Sequence, residues 1–205
     1  MNARRSTPVL RAAAGAGLLA VLMLAPARHA LEAGMGLHML VQFPALMLAG
    51  ALLGAAPAAP LRRRLAAWNA LGISGLAAVA LILAVLMIPR VLDLALVEPR
   101  VEAAKVAALL LAGAVLRPSW RAGGLMVQAF FLGNVLPMTV IVGTLYQDAP
   151  LRLCNAYRLD DQQRLGLVLV WGAGTLAALW LGRTMWRLSG PRGAADPSVA
   201  TTEGS

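Results

Sequence analysis

His38 stands in the stretch MGLHMLVQF, where every other neighbour except Gln42 is apolar or glycine. The chain has only 2 histidines in 205 residues, so this placement asks for a chemical reason. On an α-helix each residue advances ~100°, which puts Met35, His38, Met39 and Gln42 within one arc of ~100°. Imidazole nitrogen and thioether sulfur together suit copper, the sulfur favouring Cu(I). His38 and Met39 are then the expected primary ligands and Met35 a supplementary one, with Gln42 orienting the imidazole. The plainer reading is that methionine fills apolar space and the histidine hydrogen-bonds a neighbouring helix.

Three further groups could do chemistry. The segment TLYQDAPLRLCNAYRLDDQQRLG is unusually polar for this chain and holds Tyr146, Tyr157, Asp161, Gln162 and Cys154, its 1 cysteine. A single cysteine excludes an internal disulfide and any CxxC metal motif. Its thiolate is a good Cu(I) ligand, so Cys154 joins the expected supplementary set. The alternative is an interfacial cap, with tyrosines anchored at headgroups and Asp160 or Asp161 facing a positive helix end. Glu102 and Lys105, three residues apart, read first as a structural ion pair and second as a translocation site. Met87, Asn134 and Met138 lie where they could extend an outer thioether-rich site.

The elements that must position these groups are membrane helices. The chain is 60% hydrophobic and 13% charged, about half the charge of an ordinary soluble domain. Its mean hydropathy is +0.73. Uncharged runs near bilayer-spanning length predict helices at about 10–27, 34–56, 67–89, 99–117, 122–145 and 164–187. Prolines 57, 60, 89, 99, 118 and 150 mark the intended breaks. Small residues such as Gly72, Gly75, Gly113, Gly133, Gly172 and Gly174 suit close helix packing.

Basic residues set the orientation. With the N-terminus inside, eleven of the 18 Lys and Arg fall on inner segments, among them Arg62, Arg63 and Arg64. The outer segments then carry seven basic and seven acidic residues, so the whole net charge of +9 lies on the cytoplasmic side. That distribution makes the charge a topology signal and argues against a nucleic-acid partner. Arg4, Arg5, an apolar core and Ala25-Pro26-Ala27 also fit a cleavable signal, which would leave five spans; a retained first helix is the favoured reading. The tail at 189–205 is small, polar and expected to be disordered in the cytoplasm.

With these pieces placed, the chain resembles the CtaG-like family of cytochrome c oxidase assembly factors, as a divergent and shorter member. His38-Met39 opens an outer helix where the family typically shows H-M-x-Q-H. Asp161-Gln162-Gln163-Arg164-Leu165-Gly166, followed by Trp171, looks like the family's D-Q-x-x-x-G with a tryptophan. Gln42 stands where the second histidine belongs, and Trp171 comes one residue late, so sulfur must supply more of any coordination. The resemblance implies an accessory factor for a copper-containing respiratory oxidase in the bacterial inner membrane, with both termini cytoplasmic. Its partners would be the lipid bilayer, oxidase subunits or periplasmic copper chaperones. Asp161 and Gln162 would cap the last helix and hold the outer loop.

The expected fold is an all-α polytopic bundle at 1–188. No HExxH, G-x-S-x-G or Walker loop is present, so no enzymatic activity is expected. Two histidines also cannot supply the four axial ligands of a two-haem b-type cytochrome. The rival readings are a small-solute or proton transporter using Glu102, Lys105 and Asn134, and a scaffold without a ligand.

Overall fold

The computed structural model describes residues 3–54 and 67–189. The expected tail from residue 190 and the linker holding Pro57 and Pro60 lie outside the described residues. All regular elements among the described residues are helical: α1 (Ala3–Met23), α2 (Ala25–Glu32), α3 (Met35–Leu53), α4 (Ile73–Leu86), α5 (Pro89–Val97), α6 (Pro99–Ala122), α7 (Gly124–Asp148) and α8 (Leu159–Ser189). Three of them, α3, α7 and α8, are each long and apolar enough to cross a membrane. The count rises to five if the bent pairs α1–α2 and α4–α5 are each one span. Helix α6, the expected fourth span, falls outside that count. It carries Arg100, Glu102, Lys105, Arg117 and Arg121.

Of the prolines read as breaks, Pro89 and Pro99 prove to be starts, while Pro118, expected to end the fourth helix at 117, lies inside α6, which runs on to Ala122. The residue before a proline is pushed out of the helical region, and proline itself suits the first helical turn because it needs no N–H there. Ile88 and Glu98 are accordingly extended, and Pro89 and Pro99 open α5 and α6. Leu24 is extended just ahead of the Ala25-Pro26 start of α2. The chain turns by 71° between α1 and α2 and by 76° between α4 and α5. Both bends lie at the same end of the bundle, leaving two short helices lying across it.

The bundle is built on close backbone approaches. Helices α3 and α6 run parallel, Gly50 lying against the Leu110 backbone and Gly113 against that of Met47. A methyl group at either glycine would collide with a main-chain carbonyl. In the α7–α8 hairpin Gly143 and Gly166 face each other in the same way. Gly72 starts α4 with φ 72°, a left-handed conformation that favours glycine, and its α-carbon abuts the Ser119 carbonyl. Gly133, Gly172 and Gly174, expected to pack in the same way, face open space within the chain.

Helix α3 is irregular where it matters. His38–Gln42 forms a π turn, in which the Phe43 N–H reaches back to the His38 carbonyl. Pro44 explains it: the ring has no N–H and would strike the Leu40 carbonyl four residues earlier, so the turn before it widens. Despite the change of phase, Met35, His38, Met39 and Gln42 are all buried.

Candidate functional site

The buried face of α3 meets α2, α6 and the segment leading into α8. His38 is the hub. Its Nδ1 lies 2.5 Å from the Tyr157 hydroxyl, 119 residues away in sequence. Its Nε2 lies 2.9 Å from Lys105 Nζ. Phe43 and Tyr157 stand edge-on to the imidazole and fix its plane. An ammonium only donates, so Nε2 is the acceptor, and in the neutral ring the hydrogen sits on Nδ1 and points to the Tyr157 oxygen.

Lys105 reaches this centre from the second turn of α6, with its side chain 1% exposed. Besides His38 it donates to Gln42 Oε1 at 3.3 Å and pairs with Glu102 Oε2 at 2.6 Å. Neither Glu102 oxygen receives an aligned hydrogen bond among the described residues, so the contact with Lys105 is an ion pair off the hydrogen-bond axis. Glu32, ending α2, lies 3.8 Å from Lys105, accepts from Gln42 Nε2 at 3.4 Å and pairs with Arg28 at 3.5 Å. Two cations face two carboxylates. The charges balance, and the pairing matters most for Lys105, whose ammonium is shielded from water where an unpaired ion is costly.

A second set of contacts closes the same end. The Asp93 carboxylate on α5 accepts from the backbone N–H groups of Asn155 and Ala156, at 2.8 and 3.2 Å. Gln162 accepts from Leu153 N–H at 2.8 Å and donates to the Tyr146 carbonyl at 3.2 Å, tying the loop to α7. Asp161 lies in the first turn of α8, where a negative charge suits the helix's positive end. Burial, reinforced by Asp93, pushes the Cys154 thiol up to about 12, so it stays protonated near neutral pH. Burial and then the charge of Glu32 push the Tyr157 phenol up as well.

Met35, Met39, Cys154 and Tyr157 share one core cluster around His38. Cys154 itself points to the Pro89 carbonyl, 3.9 Å away. Trp171 is 73% exposed on the far face of α8, away from the site. Met138 lines a separate groove between α4 and α7.

As arranged, the His38 imidazole is not free to take a copper ion. Both imidazole nitrogens are engaged, one by a cation that would repel a second cation. What sequence reading missed is that two candidates treated separately are one: Lys105 is bonded to His38. The helix order held that signal, because α3 and α6 both start at the same end of the bundle, and His38 and Lys105 each lie within the first two turns.

No family model matches the chain, and no curated protein or solved structure proves similar to it.

Proposed function

We propose that the chain is a six-span protein of the bacterial inner membrane, with both termini cytoplasmic, that serves as an accessory factor in the biogenesis of a copper-containing respiratory oxidase. It acts through the His38 network at the outer end of the bundle. The observation that supports this reading is the meeting of the two segments that carry the family resemblance. His38 bonds Tyr157, and Gln162, one helical turn into α8, holds the Tyr157 loop closed. The first segment supplies the buried His38 centre, and the second braces the loop that brings Tyr157 to it, as one working site would need. Helix α6 is the sixth span in this reading, since Glu102 and Lys105 neutralise each other inside the bundle instead of facing lipid.

The test is genetic and spectroscopic. Deleting the gene should lower the assembled oxidase, read from its haem absorbance and subunit levels. The wild-type gene should restore it, whereas Lys105→Met and His38→Ala, expressed at equal level, should not. Normal oxidase in the deletion strain, in both scarce and ample copper, would overturn the reading. Copper is an outcome here and not a premise, because His38 can take a metal only by releasing Lys105.

Transport is the second reading, favoured by the burial of Glu102 and Lys105. Against it, the next polar pair inward, Asn69 with Ser119, is fourteen residues along α6 from Lys105, or ~21 Å. No bonded polar chain joins the two among the described residues. Ion or proton flux in proteoliposomes that Glu102→Gln abolishes would replace the assembly reading with this one.

A further inference from the structure

Helices α4 and α7 diverge to leave an apolar groove of about 670 Å³ on the side of the bundle. Its α4 wall presents Ala77, Ala80 and Ala84, small residues at helical spacing that let another backbone come close. Its α7 wall carries Met126, Phe130 and Asn134, four residues apart and so on one stripe. Met126 is 84% exposed and Phe130 74% exposed. Asn134 is the anomaly. It lies ~15 Å along α7 from Gly124 and ~21 Å from Asp148, near the middle of the helix. One N–H of its amide goes to the Phe130 carbonyl at 2.7 Å. Its carbonyl oxygen and second N–H meet no side chain among the described residues, in a groove whose lining is otherwise apolar.

We propose that this groove is the interface of a homodimer, in which α7 of a second copy lies against α4 and α7 of the first. The reading rests on membrane insertion of the bundle. An amide in hydrocarbon needs a donor and an acceptor at its own depth, and a lipid tail offers neither. A second copy offers both. Two copies in one membrane share an orientation, so a two-fold axis along the membrane normal brings the two Asn134 amides to the same depth, each donating to the other. The same operation lays the projecting Met126 and Phe130 of one copy over the alanine floor of the other. The surface is thus self-complementary in shape and in hydrogen bonding.

Photo-crosslinking of the full chain in its membrane tests this. Alkaline carbonate extraction comes first: release of the protein from the membrane would overturn the insertion reading and the dimer with it. With retention established, a benzophenone amino acid at position 130 should yield a product of twice the 21.4 kDa chain mass. The same probe at Trp171, equally exposed on α8, should not. Asn134→Ala should cut the yield about tenfold at equal membrane density, as loss of interhelical hydrogen bonds requires, and Asn134→Gln should keep it. Equal yield from Asn134→Ala, equal yield at position 171, or adducts at position 130 only with lipid or another protein would each overturn the dimer. Because Asn134 faces outward, neither variant disturbs the fold of the single chain.

Discussion

Replacing Lys105 by methionine should do more damage than replacing its ion-pair partner Glu102 by glutamine. The asymmetry follows from what each change leaves behind. Lys105→Met removes the only cation within reach of Glu102 among the described residues and strips donors from His38 Nε2 and Gln42 Oε1. Breaking a buried pair in this way costs ~3–5 kcal/mol. The side chains are 1% and 10% exposed, so solvent screening relieves little of it. Glu102→Gln leaves the ammonium with His38, Gln42 and the Glu32 carboxylate at 3.8 Å, and should cost only ~1–2 kcal/mol. The double variant removes both charges at once and should be more stable than Lys105→Met alone, with a coupling of ~2 kcal/mol. Thermal unfolding of the detergent-solubilised protein reads all three. For a chain of this size a loss of 3–5 kcal/mol is a fall of about 10 °C in Tm. If the two single losses simply add in the double variant, the buried pair is not an energetic unit and the account of the network fails.

Other predictions probe the frame and the edges of the site. Gly113→Ala and Gly50→Ala should each force α3 and α6 apart and lower Tm by several degrees, whereas Gly172→Ala, with open space around it, should be neutral; equal effects at the three positions would contradict the packing described. Cys154 is held protonated up to about 12, so maleimide labelling of folded protein should stay slow from pH 7 to 9 and become fast only in denaturant. Because its folded value lies above the ordinary thiol value of 9.0, its contribution to stability is intact below pH 9 and falls away above it, where the unfolded thiol ionises first. Cu(I) titration should show tighter binding in Lys105→Met than in the wild type, and the gain should vanish in Lys105→Met/His38→Ala. Identical affinities in the three proteins would mean that Lys105 does not guard the imidazole.

The fold and the site were legible in different measures, for physical reasons that particular residues show. Burial of Met35, His38, Met39 and Gln42 on one face followed from helical periodicity, and it survives the π turn because one wide turn shifts the phase without reversing the face. The bends were harder to see. Pro89 and Pro99 carry the same local signal whether they end one helix or start the next, and only the extended Ile88 and Glu98 ahead of them decide it. Gly133 and Gly172 illustrate a further limit: a small residue permits close approach but does not say what approaches. At the site, each group read alone had an ordinary explanation. Glu102 and Lys105 made a self-sufficient ion pair, Tyr157 an interfacial anchor, His38 a ligand with sulfur neighbours. What joins them is that α3 and α6 run parallel from the same end, so that two residues 67 apart in sequence lie at one depth. That juxtaposition changes the chemistry of the centre. A histidine beside two methionines is a soft-metal site. The same histidine with an ammonium on one nitrogen and a phenol on the other is the middle of a proton-ordered, charge-balanced clasp, and its function must be sought in what opens it.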